Sequence, residues 1–300
     1  MKTLNNLERF VRLTNEQKNE LYAIIHKCRN EFIKDPSENV KIALEFNKDI
    51  VTKYLEKNQI SNLITFLREA VYDEYLVNEK IFVKQVMIEL NEKIEIANRQ
   101  INVVVDSITK LPASGRDKLK YSIETIFGDY TSAIFPYIYE ISLSNTQSRR
   151  SRAGKTFEFI IYSLYEQLEY NYDSQAKIGR KIFKEQNLGK IVDSILPSVD
   201  AFNQLRNKTI VGSMKTTLRE RWQEVVEEVS RSNLPNIYLL TIDDSISESK
   251  VKQMGEHNII LVVLESVKNH SKLIKYRNVI SFETYFLSEI PNALSYWKET

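Results

Sequence analysis

Asp193 and Lys215 are the two residues whose types and spacing point most directly to chemistry. Asp193 sits in "KIVDSILPS" (190–198), flanked by apolar residues as in a buried strand. A carboxylate there is costly unless it is paired or bound to a metal. Lys215 closes "NKTIVGSMK", an apolar run that reads as the next strand. A lysine beside a carboxylate at adjacent strand ends can hold a water and a phosphate oxygen together. A divalent cation on the carboxylate would activate that water and neutralise charge on the phosphate. The expected chemistry is hydrolysis of a phosphate ester.

Nucleases of the Asp–(Asp/Glu)-x-Lys type use this scheme and carry a second acid two residues before the lysine. That place is Ser213 here, and a serine cannot supply the charge. The segment that follows, "LRERWQEVVEEVSR", has Leu218, Trp222, Val225 and Val229 on one side of a helix. Glu228, thirteen residues past Lys215 and near the end of that helix, can swing back towards the vacated place. The helix opens on the cluster Arg219, Glu220 and Arg221. The first turn of a helix can enter the major groove of DNA. There arginine offers a bidentate fork to guanine, and glutamate accepts from cytosine N4.

Asp193, "SMK" at 213–215, "RER" at 219–221 and Glu228 together resemble the type II restriction endonucleases related to EcoRII, SsoII and PspGI, over roughly residues 148–230. That family moves its second acid to the helix after the lysine and reads paired cytosine and guanine with a charged triplet at the start of that helix. The resemblance implies a restriction-endonuclease-like PD-(D/E)XK fold, an α/β mixed sheet flanked by helices, with an N-terminal all-helical region. It places Asp193, Lys215 and Glu228 on the catalytic positions and Arg219, Glu220 and Arg221 on the base-reading triplet. Glu158, in "RAGKTFE", is similar to a further acidic residue at the metal site, which would then comprise Asp193, Glu158 and Glu228. The implied activity is Mg²⁺-dependent cleavage of double-stranded DNA by a homodimer at a palindrome with a CCGG or CCNGG core. The cut falls before the first cytosine and leaves 5′ overhangs, and a cognate DNA methyltransferase protects the host. Two rival readings are a structure-selective repair or junction nuclease and a non-catalytic DNA-binding protein on the same fold.

The elements that must position these residues fall into two textures. From Asn15 to about Lys110 apolar residues recur at three- and four-residue spacing, with almost no glycine or proline. "PASG" (112–115) is the clearest break. It divides a helical accessory and DNA-contacting region, 1–111, from a nuclease core, 112–300. In the second half "NIYLLTIDD" and "NIILVVLES" are continuous apolar runs with the helical "SESKVKQMGEH" between them. Strand, crossover helix, strand implies parallel pairing.

Composition narrows the chemistry further. The chain has 300 residues, 42% hydrophobic and 27% charged, as in an ordinary globular protein. No run of about 18 apolar residues and no signal-peptide pattern is present, so neither membrane span nor export is expected and the location is cytoplasmic. One cysteine, Cys28, excludes an internal disulfide, and His26, His257 and His270 lack zinc-ligand spacing. Any metal must be a hard cation on oxygen. The net charge of +2 does not by itself announce a nucleic-acid binder. "RRSRAGKT" has the end of a phosphate-loop motif, but Arg149 replaces its first glycine. Arg149, Arg150, Arg152 and Lys155 are read instead as a solvated loop or as contacts to the DNA backbone. The bland reading of Glu158 is dipole compensation in a helix's first turn. Trp222 is expected in the core and the histidines on the surface.

Overall fold

The computed structural model describes residues 12–111, 115–185, 188, 191–218, 221–232 and 234–298. In chain order it runs α1 (Asn15–Phe32), α2 (Pro36–Phe46), α3 (Lys48–Glu56), α4 (Ile60–Lys93), α5 (Glu95–Thr109), α6 (Arg116–Ala133) and α7 (Phe135–Gln167). The sheet region follows: β1 (Asp173–Ser174), α8 (Gln175–Ile178), α9 (Arg180–Glu185), β2 (Ser194–Leu196), α10 (Val199–Gln204), β3 (Ile210–Lys215) and α11 (Arg221–Ser232). It closes with β4 (Ile237–Thr241), α12 (Glu248–Glu256), β5 (Ile259–Val263), α13 (Glu265–Lys268), β6 (Val279–Ser281), α14 (Phe282–Thr284), a π turn at Tyr285–Glu289 and α15 (Ile290–Lys298).

The six strands form one mixed sheet in sequence order. β1, β2 and β3 pair antiparallel, and β3 to β6 pair parallel. The parallel pairing of β4 with β5 across α12 is the arrangement the strand–helix–strand pattern implied. Both faces of this sheet are covered, which is why β4 and β5 read as unbroken apolar runs. Alternate residues go to opposite cores. Tyr238, Leu240, Val262 and Met214 join Phe157, Ile160, Ile161 and Leu164 of α7 and Ile60, Leu63, Ile64 and Leu67 of α4. Val211, Ile237, Leu239 and Leu261 face the other way, onto Trp222, Val225 and Val229 of α11 and Val251 and Met254 of α12. Trp222 is a core residue, as its helical spacing implied.

The chain divides into two compact units, one of the residues up to Asp35 with Asp73–Ser151 and one of Pro36–Tyr72 with Arg152–Thr300. These bounds differ from a division at residue 111. Residues 36–72 pack in the sheet's own core through Val40, Val51, Ile64 and Val71. The first unit has an all-helical core built on Leu21, Ile25, Phe82, Val86, Leu90 and Tyr137. One expectation is corrected here: "RRSRAGKT" is not a loop. Arg149, Arg150, Arg152 and Lys155 all lie inside α7, whose 33 residues continue through "PYIYEISLSNTQ" without a glycine before Gly154.

Candidate active site

β3 and the residue before β2 build the site. Ser194 stands directly opposite Gly212 in the antiparallel pair. A Cβ at 212 would come within 2.6 Å of Ser194 Oγ and would have to displace that buried hydroxyl, so the close approach favours glycine. Asp193, one residue outside β2, then donates its backbone N–H to the Gly212 carbonyl at 2.8 Å. Its carboxylate Oδ2 accepts the Met214 N–H at 2.7 Å, and Lys215 Nζ lies 3.5 Å from the same oxygen. The two side chains are 15% and 16% exposed, sheltered enough to interact strongly and open enough to meet a ligand. The glycine, serine and lysine of "VGSMK" thus have separate tasks: approach, filling, and charge.

α7 brings a further carboxylate. Glu158 sits deep inside that helix, which begins at Phe135, so compensation of a helix dipole does not explain it. Its carboxylate accepts from Lys155 Nζ at 2.6 Å and is 16% exposed. Burial pushes the Glu158 carboxyl above the usual range and the Asp193 charge adds to the push, while Lys155 and Lys215 oppose it. Burial also raises Asp193, against the pull of Lys215, the Met214 N–H and Lys155. Two carboxylates and two lysines therefore form one electrostatic cluster. One turn further along α7, Tyr162 donates its hydroxyl to the Asp193 main-chain carbonyl at 3.0 Å. Sequence reading missed Tyr162, although its i+4 spacing from Glu158 was a signal that both share a helix face.

Arg149 forms a bidentate pair with Glu79 through Nε and Nη2 within the helical unit. Arg150 is exposed and Arg152 partly so. Arg219 and Glu220 lie outside the described residues. Arg221 opens α11 and Glu228 stands in its second half, and the description covers their backbone alone. By strand alternation Val211, Ser213 and Lys215 share the sheet face on which α11 packs. The Ser213 hydroxyl on that face is fully buried and has no hydrogen-bond partner among the described residues. The connection from β3 to α11 is held by Asp243, whose Oδ2 accepts the Leu218 N–H at 2.8 Å. His257 and His270 are exposed, in keeping with their polar surroundings.

No cluster of three or more His, Cys, Asp or Glu is arranged for a metal among the described residues. The donors present are the two carboxylates of Asp193 and Glu158. Such an all-oxygen pair fits a hard divalent cation, because magnesium typically takes one or two carboxylates and completes its shell with water and phosphate oxygen. Both carboxyls are held above their usual range where cationic compensation is incomplete, and a cation would complete it.

Comparisons with known proteins place the fold and the family. Residues 120–286 match the family described as EcoRII C terminal. The type II restriction enzyme SsoII of Shigella sonnei is 43% identical over 158 residues, which cover 52% of this chain and 50% of that enzyme. The chain thus spans about half the length of this curated relative. An uncharacterised protein from the DsaVM 5′ region of Dactylococcopsis salina is 31% identical over 85 residues, covering 28% of this chain and 71% of that protein. Among solved structures, metal-depleted Ecl18kI in complex with uncleaved DNA superposes with a TM-score of 0.73 at 31% identity, covering 94% of this chain and 86% of that one. The PspGI–substrate DNA complex shares the fold, with a TM-score of 0.59 at 20% identity over 88% of this chain and 94% of that one. The matched span takes in Glu158 of α7, Asp193 just before β2, Lys215 of β3 and Glu228 of α11, and the chain belongs to the EcoRII C-terminal family.

Proposed function

We propose that this chain is a type II restriction endonuclease that hydrolyses double-stranded DNA at a palindrome with a CCGG or CCNGG core. The cut falls before the first cytosine and leaves 5′ overhangs. The observation that carries the reading is the pairing of Asp193 with Lys215 at adjacent strand ends, its carboxylate oriented by the Met214 N–H. Asp193 and Glu158 would hold Mg²⁺, which supplies charge neutralisation at the phosphate and a more acidic water. Lys215 places its ammonium where a phosphate oxygen and the attacking water can both meet it. Water adds to phosphorus and the 3′ oxygen leaves with a proton, giving a 5′ phosphate and a 3′ hydroxyl.

Glu228 joins this set as the displaced acid, in support of which the Ser213 hydroxyl, on the face where α11 packs, has no partner among the described residues. Arg219, Glu220 and Arg221 are the base readers, with Arg150, Arg152 and Lys155 towards the DNA backbone. The helical region before residue 111 has an accessory role in contacting DNA. A homodimer reads both strands of a palindrome with one surface. Exposed apolar side chains of the helical unit, including Val77, Val103, Tyr121 and Phe127, support such self-association. No described helix is long and apolar enough to cross a membrane. The enzyme acts in the cytoplasm beside a methyltransferase of the same specificity.

Digestion of one long duplex with and without Mg²⁺ tests the reading. Discrete bands that require Mg²⁺ are expected, and they should disappear when the site's cytosines are methylated. A smear or cutting confined to branched DNA points to a structure-selective nuclease, and binding without cutting points to a DNA-binding protein.

A further inference from the structure

We infer that Tyr162 is a positioning residue for the catalytic carboxylate, acting through the peptide of Asp193. The inference rests on the proposed role of Asp193 and deepens it. Asp193 lies one residue beyond the end of the β1–β2 pairing, in which Asp173 faces Ile195 and Ser174 faces Ser194. On its β3 side the ladder continues, because the Asp193 N–H still reaches the Gly212 carbonyl at 2.8 Å. On the opposite side no strand continues among the described residues, and the carbonyls there must find other donors. Two side chains stand in for the absent strand. Gln175 Nε2 donates to the Val192 carbonyl at 2.7 Å, and the Tyr162 hydroxyl donates to the Asp193 carbonyl at 3.0 Å.

Tyr162 is itself rigidly placed. It is 5% exposed, stacks on Tyr172 with centroids 5.5 Å apart and 16° between planes, and meets Phe159 edge-on at 5.9 Å. Its donor therefore has little freedom to follow a peptide that drifts. Because Glu158 lies one turn earlier on the same helix, the hydroxyl also ties the distance between the two carboxylates to the backbone of α7. A site of two carboxylates around one cation tolerates misplacement of only about 0.5 Å, so this tether bears on metal binding and rate while touching neither DNA nor cation.

Tyr162→Phe removes one oxygen and keeps the ring stack. Tyr172→Phe is the matched control, since it removes a hydrogen bond of the same stack, the one to Glu166 at 2.8 Å, without reaching Asp193. Single-turnover cleavage, Mn²⁺ affinity of the protein–DNA complex by calorimetry, DNA affinity in Ca²⁺ and melting temperature are measured for all three proteins. Tyr162→Phe should cleave about tenfold more slowly, the worth of one ordinary hydrogen bond. It should also bind Mn²⁺ several-fold more weakly, with DNA affinity in Ca²⁺ unchanged, while Tyr172→Phe matches the parent. If Tyr162→Phe keeps the parental rate and Mn²⁺ affinity, or if both variants lose rate in step with melting temperature, Tyr162 is only a packing residue. A parent protein that cuts nothing overturns the proposed role of Asp193 and this tether with it.

Discussion

The helical unit and the sheet unit both bury carboxylates, and they treat them in opposite ways. Glu89 in the helical unit has a side chain only 6% exposed, yet Lys27 at 2.8 Å and Lys93 at 2.5 Å hold its carboxyl down at about 2. Glu79 is pushed up by burial, but hydrogen bonds from Arg149 and Tyr75 outweigh that and leave it below its usual range. In the sheet unit burial wins at Asp193 and Glu158, although Lys215 and Lys155 stand beside them. Desolvation and pairing differ together: Glu89 takes a direct hydrogen bond on each oxygen and these outweigh its desolvation, whereas desolvation is the largest influence at Asp193 and Glu158, which share their lysines, and the Asp193 charge adds to it at Glu158. Acids with complete partners hold a fold together, and acids left short of cation are suited to receive one.

The largest effect should come from Asp193→Asn. It keeps the shape and an acceptor for the Met214 N–H while removing the charge, so cleavage should fall on the order of a thousandfold or more. The melting temperature should hold or rise. A variant that retains activity, or that loses stability as a structural acid would, erases the contrast between the two units.

Glu89→Gln should behave in the opposite sense, leaving cleavage chemistry intact and destabilising by about 1 kcal/mol in denaturant titration, a figure discounted because both lysines are half exposed. Its pH dependence sharpens the case. Because the folded carboxyl sits at about 2 against a usual 4.5, its contribution is complete above 4.5 and is lost as pH falls towards 2. Melting curves between pH 6 and 2 should drop more steeply for the parent than for Glu89→Gln.

The smallest expected change is a gain. Glu158→Gln removes a carboxylate held above its usual range and should stabilise the fold by about 0.5 kcal/mol, while slowing metal-dependent cleavage. A loss of stability equal to that of Glu89→Gln would show that Lys155 already compensates Glu158 fully.

The amino-acid sequence by itself determined much of this molecule, where local rules suffice. Period and apolar content marked the helices before residue 110, the buried parallel strands at 237–241 and 259–263, and the core face of α11 through Trp222, Val225 and Val229. The pairing of Asp193 with Lys215 was legible because strand ends bring fixed positions together and an acid among apolar residues needs a reason. Short elements were not legible: β1 has two residues and β6 three, too few for any period to register. "RRSRAGKT" looked like a loop because charge and glycine are local loop signals, and the flanking turns of a 33-residue helix overrode them. Only the tertiary structure decided that residues 36–72 join the sheet's core, that Glu79 engages Arg149, and that Tyr162 caps the open side of Asp193. Each depends on contacts between residues tens of positions apart, whose existence follows from how whole faces pack and from which buried polar groups are left to be satisfied, and no window of the chain carries that information.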